Sequence, residues 1–129
     1  METIDNQKLK LSDFKGKIVV VDFMAMWCKP CRAQIAILAD LWPKYRDKGV
    51  VFMSVDVDPM ENLTQLKIFA EKCGMTWIVG CSGKAGEIYG IVAVPTIVIV
   101  DRNGQIVVKH TGVISGQRLS EILDSILKE

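Results

Sequence analysis

The sequence predicts an α/β fold in which a central mixed β-sheet is flanked by helices and preceded by a short N-terminal β-hairpin. From residue 17 to about residue 89, buried-type strands alternate with helical patterns, which indicates a parallel sheet with covering helices. Further along, an Asn103–Gly104 turn joins two apolar runs. This is a strong hairpin signal, and it adds antiparallel strands to the same sheet.

The length and charge of the chain limit its organisation and its partners. It has 129 residues, half of them hydrophobic, so we expect one domain, residues 1–129, built on a single core. Its 16 basic residues nearly balance its 15 acidic ones, which argues against a nucleic-acid partner. No apolar run approaches the ~18 residues that span a bilayer, so we expect no membrane segment in this chain.

The predicted strands are recognised by their apolar runs. Lys17–Met24 and Val50–Val57 are nearly continuous, which is typical of central strands buried on both faces. The polar segment around Asp5–Asn6 predicts the opening hairpin, and Ser12–Gly16 predicts a turn or a single helical turn. Three shorter strands complete the sheet: Trp77–Val79, Thr96–Val100 and Ile106–Lys109.

Four segments are predicted to be helical. The first runs from Pro30 to about Lys48, with apolar residues at three- and four-residue steps, and Pro43 is expected to kink or divide it. Proline is tolerated in a first helical turn, as at Pro30. The other predicted helices are Asn62–Lys72, the short Lys84–Tyr89 and the amphipathic Ser115–Lys128.

Two cysteines, Cys28 and Cys31, follow a buried strand and open a helix. The free N–H groups and the dipole of a helix N-terminus stabilise an anion, so the Cys28 thiolate should be favoured. Lys29 adds a positive charge beside it, and Pro30 fixes the backbone between the two cysteines. Because Cys31 falls one turn into the helix, a disulfide can close and open with little backbone movement. This placement predicts thiol–disulfide exchange, in which Cys28 attacks and Cys31 resolves the mixed disulfide.

Metal binding is the main alternative for these cysteines. A zinc site needs two more ligands at suitable spacing, but Cys73 and Cys81 are separated by seven residues and His110 is the lone histidine. Met24 and Met26 could join the two cysteines as soft sulfur ligands of Cu(I). We favour the interpretation that the two methionines simply pack in the core and at the rim of the site. Cys73 and Cys81 are expected to be inert thiols, with a second disulfide or a redox relay left open.

Two segments carry a resemblance to the thioredoxin-fold proteins. Val20–Phe23 followed by Trp27–Cys31 resembles their active-site segment, and Val94–Thr96 resembles their cis-proline loop. Leu11–Lys17 and Asp101–Gly104 are similar to the TlpA-like, redoxin-type branch. The resemblance covers almost the whole chain, and its specific part is the WCxPC element with the downstream Val-Pro-Thr.

This resemblance implies a thioredoxin fold and a thiol–disulfide oxidoreductase, with Cys28 as the nucleophile and Cys31 as the resolving thiol. Pro95 would be cis and would pack against the disulfide, while the backbone of Val94 would pair with an extended substrate segment. Trp27 is expected to cover the disulfide from the rim of the site. The expected partners are protein thiol or disulfide substrates and a redox partner protein. We expect a monomer that needs no cofactor.

Asp22 lies six residues before Cys28 in an apolar strand, where burial should raise its pKa. In thioredoxins the matching aspartate assists proton transfer at the resolving cysteine. The resemblance therefore implies that Asp22 is the general base for Cys31, acting through water. The alternative is a strand-end aspartate that reaches solvent. A base at Cys31 favours reduction of substrate disulfides.

The sequence also departs from the TlpA-like pattern. That branch often has a non-acidic residue at the position of Asp22 and a glutamate where this chain has Gln34, while Ala36 replaces a usual helix proline. A peroxiredoxin-type thiol peroxidase is an alternative function, but Ala25 stands where that family has a threonine. A Cu(I)-binding assembly protein is a second alternative, although such relatives use CxxxC.

Cellular location is left open by the sequence. Met1–Leu11 is polar and unlike a signal peptide. TlpA-like proteins often carry an upstream signal or anchor, so we expect either a cytoplasmic protein or an extracytoplasmic one whose native start precedes Met1.

Overall fold

The computed structural model describes all of residues 1–129. Its six strands are β1 (Glu2–Thr3), β2 (Ile18–Met24), β3 (Val50–Asp56), β4 (Ile78–Cys81), β5 (Thr96–Val100) and β6 (Ile106–Thr111). Its helices are α1 (Lys29–Tyr45), α2 (Leu63–Lys72), α3 (Ala85–Ile88) and α4 (Gly116–Leu127), with a 3-10 helix at Leu11–Phe14.

The six strands form one mixed sheet in the order β1-β4-β3-β2-β5-β6. Strands β2, β3 and β4 run parallel, while β5, β6 and β1 each pair antiparallel with their neighbours. Every residue of β2 is buried, because β2 lies inside the sheet and both of its faces are covered. The predicted mixed sheet with flanking helices is confirmed.

The two faces of the sheet are covered unequally. On one face, Val20 and Met24 of β2 belong to a cluster of 22 buried residues that includes side chains of α1, α2 and α4. On the other face, Val21 and Phe23 belong to a cluster of eight buried residues, covered by the 3-10 helix and the short α3. Cys31 lies in the larger cluster, so the reactive pair lies on the face of the sheet that α1, α2 and α4 cover.

The predicted opening hairpin is present. Glu2 forms an antiparallel bridge with Lys8, and Asn6 takes a left-handed conformation at φ 62°. The Thr3 hydroxyl accepts hydrogen bonds from the backbone N–H groups of Asp5 and Gln7. These contacts close the turn, and β1 then pairs with β4 at the edge of the sheet.

Helices α2 and α4 each begin directly after a residue whose side chain caps the helix. The side chain of Asn62 accepts from the N–H of Gln65 at the start of α2, and the Ser115 hydroxyl accepts from the N–H of Arg118 at the start of α4. The sequence predicts that Pro43 kinks or divides the first helix, and the division is wrong, since α1 continues to Tyr45. Pro43 falls in the last turn, where the lost N–H removes one bond near an end that frays anyway. None of the helices has the length and apolar character needed to cross a membrane.

Candidate active site

Cys28 and Cys31 are joined by a disulfide at the N-terminus of α1, with their Cα atoms 5.2 Å apart. Cys28 is the N-cap residue of the helix, and the backbone N–H of Cys31 donates to its Sγ at 3.2 Å. Cys28 is 3% exposed and Cys31 is fully buried. The helix end therefore directs a hydrogen-bond donor at the outer sulfur, where a thiolate forms after reduction.

A tight turn delivers Cys28 to this position. Strand β2 ends at Met24, and the N–H of Cys28 then donates to the carbonyl of Ala25 at 3.2 Å. Lys29 and Pro30 open the helix as exposed residues, and Pro30 sits where the first-turn N–H groups have no intrahelical acceptor. The local sequence thus ends the strand and starts the helix within five residues.

The loop before β5 lies against the disulfide. Its Val94–Pro95 peptide bond is cis, and the carbonyl oxygen of Val94 is 3.6 Å from Cys28 Sγ. The Thr96 hydroxyl donates to the carbonyl of Ala93 at 2.7 Å, and the Pro95 carbonyl accepts from the N–H of Gly112 at 2.8 Å. These bonds fix the loop so that the backbone of Val94 faces the outer sulfur.

Asp22 is completely buried in β2. Its Oδ2 accepts a hydrogen bond from the Ser54 hydroxyl at 2.8 Å, whereas its Oδ1 has no partner. Burial raises the pKa of Asp22 to about 7, because the Ser54 hydrogen bond offsets only part of the loss of hydration. The solvent-reaching alternative is wrong. Val20 and Met24, its neighbours on the same face of β2, pack in the cluster that contains Cys31.

The loop between β3 and α2 fastens the turn that precedes Cys28. The Trp27 side chain is 65% exposed, and its indole N–H donates to Asp58 Oδ2 at 2.7 Å. The N–H of Met26 donates to Glu61 Oε1 at 2.8 Å. Sequence reasoning missed Asp58 and Glu61, because more than 30 residues separate each from its partner and no local pattern links them.

Asp56, the last residue of β3, is a second buried carboxylic acid and is 1% exposed. Its Oδ1 accepts from the N–H of Asp58 at 3.0 Å, while its Oδ2 has no partner. Burial, and then the nearby carboxyl of Glu61, raise the pKa of Asp56 to about 7. Sequence reasoning missed Asp56 as well, although an acidic residue in an apolar strand is the signal that identified Asp22.

An apolar groove of about 280 Å³ runs beside the disulfide. It lies between the turn that carries Trp27 and the cis-proline loop. Its lining residues are Ala25, Trp27, Val57, Asp58, Ile91, Val92, Ala93 and Val94. Val92 is 90% exposed at the edge of this groove, so apolar surface is open to a partner next to the reactive pair.

Gln34 occupies the position where the TlpA-like branch has a glutamate, and it has a structural contact here. Its side chain is buried and binds the backbone of Ile114 twice. The amide Nε2 donates to the Ile114 carbonyl at 3.2 Å, and Oε1 accepts from the Ile114 N–H at 2.8 Å. The amide therefore joins α1 to the segment before α4.

The remaining candidate residues are the other two cysteines, the histidine and Met24, which packs in the same buried cluster as Cys28 and Cys31. Cys73 and Cys81 are free thiols, and burial raises the pKa of Cys81. His110 lies on β6, with its Nε2 3.3 Å from the carbonyl of Val113. Met24 is fully buried in the core. No group of three or more His, Cys, Asp or Glu side chains is arranged to hold a metal ion.

Comparison with known proteins places this geometry in a family. The profile of the AhpC/TSA family matches residues 1–109. The thiol-disulfide oxidoreductase ResA of Bacillus thuringiensis subsp. konkukian is 33% identical over 129 residues, which span 98% of this chain and 70% of that protein.

Solved structures agree with this match. The thioredoxin domain of a thiol-disulfide oxidoreductase from Bacteroides vulgatus superposes with a TM-score of 0.85 at 28% identity, covering 98% of this chain and 90% of that one. A thiol:disulfide interchange protein of the thioredoxin family from Chlorobium tepidum gives a TM-score of 0.80 at 25% identity, covering 98% and 91%.

A disulfide at a helix N-terminus beside a cis-proline loop, on this sheet, defines a thioredoxin-fold thiol–disulfide oxidoreductase. The chain belongs to the AhpC/TSA family and is of the TlpA/redoxin type within it. Membership of this class implies protein thiol substrates and a redox partner.

Proposed function

We propose that the protein reduces disulfides in other proteins, with Cys28 as the nucleophile and Cys31 as the resolving thiol. The reducing direction is supported by Asp22, a fully buried carboxylic acid on the same face of the sheet as Cys31. Because its pKa is raised to about 7, both of its protonation states are populated near neutral pH. A group of this kind can accept the Cys31 proton and release it again.

The first step forms a mixed disulfide. The Cys28 thiolate, stabilised by the N–H of Cys31 and by the charge of Lys29, attacks one sulfur of the substrate disulfide. A bond forms between Cys28 and that sulfur, and the other substrate sulfur leaves as a thiolate that takes up a proton. The backbone of Val94 pairs with the extended substrate segment, while Trp27 and Pro95 flank it.

The second step resolves the mixed disulfide. Asp22 accepts the proton of Cys31 through water, and the Cys31 thiolate attacks Cys28 Sγ. The Cys28–Cys31 disulfide forms, and the second substrate sulfur leaves as a thiolate and is protonated. The dithiol thus gives two electrons to the substrate, and the two cysteine protons are balanced by the two substrate thiols. Pro30 fixes the backbone between the sulfurs throughout the cycle.

A redox partner protein must return two electrons to the disulfide for another turnover. The cysteine pair carries both electrons, so the proposed cycle needs no cofactor. We infer that the protein works as a single-domain monomer on other proteins. The near balance of 16 basic and 15 acidic residues supports partners other than nucleic acid.

Reduction of insulin disulfides tests the proposal. Cys28→Ser should abolish turnover, because the attacking sulfur is removed. Cys31→Ser should trap a covalent mixed disulfide with the substrate, visible by mass spectrometry, because the resolving sulfur is missing. Cys73→Ser, which changes a free cysteine outside the pair, is the matched control and should keep wild-type turnover. Undiminished insulin reduction by Cys28→Ser would contradict the proposal.

A further inference from the structure

Three side chains on or next to neighbouring strands form a buried hydrogen-bond relay that ends at Asp22. The indole N–H of Trp77, one residue before β4, donates to Ser54 Oγ at 2.9 Å. The Ser54 hydroxyl, on β3, donates to Asp22 Oδ2 at 2.8 Å. Trp77 is 6% exposed, and Ser54 and Asp22 are fully buried. Water therefore does not compete for these bonds.

The relay has a fixed direction. An indole N–H can only donate, so the Ser54 oxygen must be the acceptor on that side. The single hydrogen of the Ser54 hydroxyl then points to Asp22 Oδ2, its acceptor within hydrogen-bond distance. A proton on Oδ2 would displace that hydrogen and leave it buried without an acceptor, which is unfavourable. Oδ1, which has no partner, is the oxygen free to carry a proton.

We infer that Ser54 and Trp77 are positioning residues that hold Asp22 Oδ2 as a permanent acceptor, so that Oδ1 alone receives and releases the proton exchanged with Cys31. The inference rests on the proposed role of Asp22 in resolution. Neither Ser54 nor Trp77 touches the reacting sulfurs in this scheme. They act by fixing which oxygen exchanges the proton and by favouring the ionised carboxylate.

Few other groups bear on this carboxyl. Its cross-strand neighbour on β5 is the apolar Ile97, and its neighbour on β3 is Ser54 itself. On the neighbouring strands the titratable side chains are Asp56 on β3 and, one strand further, Cys81 on β4. On α1 the buried ones are Cys31 and Tyr45, while Lys29, Arg32, Asp40 and Lys44 are exposed. Burial and the Ser54 hydrogen bond are the two influences that shift the pKa of Asp22.

The packing of Trp77 allows a selective substitution. Its ring meets Phe52 edge-on, with centroids 6.2 Å apart, so a phenyl ring can keep this contact while the N–H is lost. Trp42 contacts the same Phe52 ring at 5.0 Å and takes no part in the relay. Trp42→Phe is therefore a matched control for Trp77→Phe, with the same chemical change beside the same ring.

The direct test is the titration of the Asp22 carboxyl carbon, followed by ¹³C NMR in the oxidised protein and assigned with Asp22→Asn. Ser54→Ala should raise the titration midpoint by about one pH unit, because the donor that favours the ionised form is lost. Trp77→Phe should also raise the midpoint, by a smaller amount. Ser54→Thr, which keeps the hydroxyl, should leave the midpoint unchanged, and so should the control Trp42→Phe. An unchanged midpoint in both Ser54→Ala and Trp77→Phe would overturn the inference.

Single-turnover resolution of the mixed disulfide separates the relay from the proposed role of Asp22. If the relay and the proposed role of Asp22 are both right, the pH profile of the resolution rate shifts to higher pH in Trp77→Phe, together with the NMR midpoint. If the NMR midpoint moves and the rate profile does not, the relay stands and the proposed role of Asp22 fails. Because Trp77→Phe keeps the ring, it also reports on the relay if Ser54→Ala does not fold.

Discussion

Two carboxylic acids, Asp22 and Asp56, are buried on adjacent central strands of the sheet. Each has one oxygen without a hydrogen-bond partner, and burial raises the pKa of each to about 7. A fold does not gain stability from such groups at neutral pH, because ionising a buried carboxyl is unfavourable. Their presence in the centre of the sheet therefore points to chemistry, and for Asp22 we propose proton exchange with Cys31.

Asp22→Asn should flatten the pH dependence of stability. The pKa of Asp22 is about 7 in the folded protein against an ordinary 3.8, so the folded state binds the proton more tightly than the unfolded state. Stability from this group is therefore greatest at low pH and is lost as the pH rises through about 7, by up to about 4 kcal/mol. Urea unfolding of the oxidised protein at pH 5 and pH 8 measures the part of this loss that falls above pH 5, about 3 kcal/mol.

In that experiment the asparagine variant should lose clearly less stability than the wild type between the two pH values. The remaining loss reports on Asp56, which the substitution leaves intact. Asp40→Asn, at an exposed position on α1, is the control and should follow the wild type. Equal losses in wild type and Asp22→Asn would show that the buried carboxyl does not titrate as described.

Gln34→Ala should destabilise the protein by about 2 to 3 kcal/mol. It removes both side-chain bonds to Ile114 and leaves a buried backbone N–H and carbonyl without partners. Ala33→Gly, at the neighbouring exposed helix position, should cost only about 1 kcal/mol. Chemical denaturation measures both, and a Gln34→Ala loss no larger than that control would contradict a structural role for the amide.

At the scale of elements, the site depends on a helix, a strand end and two loops that meet. Helix α1 provides the N-terminal donors, and the cis-proline loop presents the backbone of Val94. The loop between β3 and α2 binds the turn before Cys28 through Asp58 and Glu61. Anything that loosens the start of α2 should therefore disturb the site as well as the helix.

Two equivalent N-cap substitutions separate these effects. Asn62→Ala at the start of α2 and Ser115→Ala at the start of α4 should each lower stability by about 1 kcal/mol, because each removes one capping hydrogen bond. Asn62 directly follows Glu61, so only Asn62→Ala should also slow insulin reduction, measured at a temperature where both variants are folded. Equal rates in the two variants would show that the loop does not position the site.

At the scale of the whole molecule, patterns within single segments were enough to predict most of the elements. Continuous apolar runs indicated β2 and β3, and the predicted helices Asn62–Lys72 and Ser115–Lys128 correspond to α2 and α4. The strand-to-helix placement of the cysteine pair was predicted in the same way. These features depend on neighbours in the chain, so a sequence can report them.

Features that depend on distant contacts could not be predicted in this way. Three of these contacts join residues far apart in the chain. They are the hydrogen bond from Met26 to Glu61, the relay through Ser54 to Trp77, and the hydrogen bonds between Gln34 and Ile114. Only the folded arrangement of strands, helices and loops brings them together. Helix α1 continues past Pro43 for a different reason. A proline in the last turn removes only one backbone hydrogen bond, which is weak there because helix ends fray.

The reduction potential of the Cys28–Cys31 couple tests the central claim most directly. A reductase of protein disulfides must have a low potential, and we predict a value near the roughly −270 mV that is typical of thioredoxin. Equilibration with glutathione or dithiothreitol buffers, followed by quantification of free thiols in a Cys73→Ser/Cys81→Ser background, measures it. A potential near the roughly −120 mV of a strong disulfide donor would show that the protein oxidises thiols and would contradict the account.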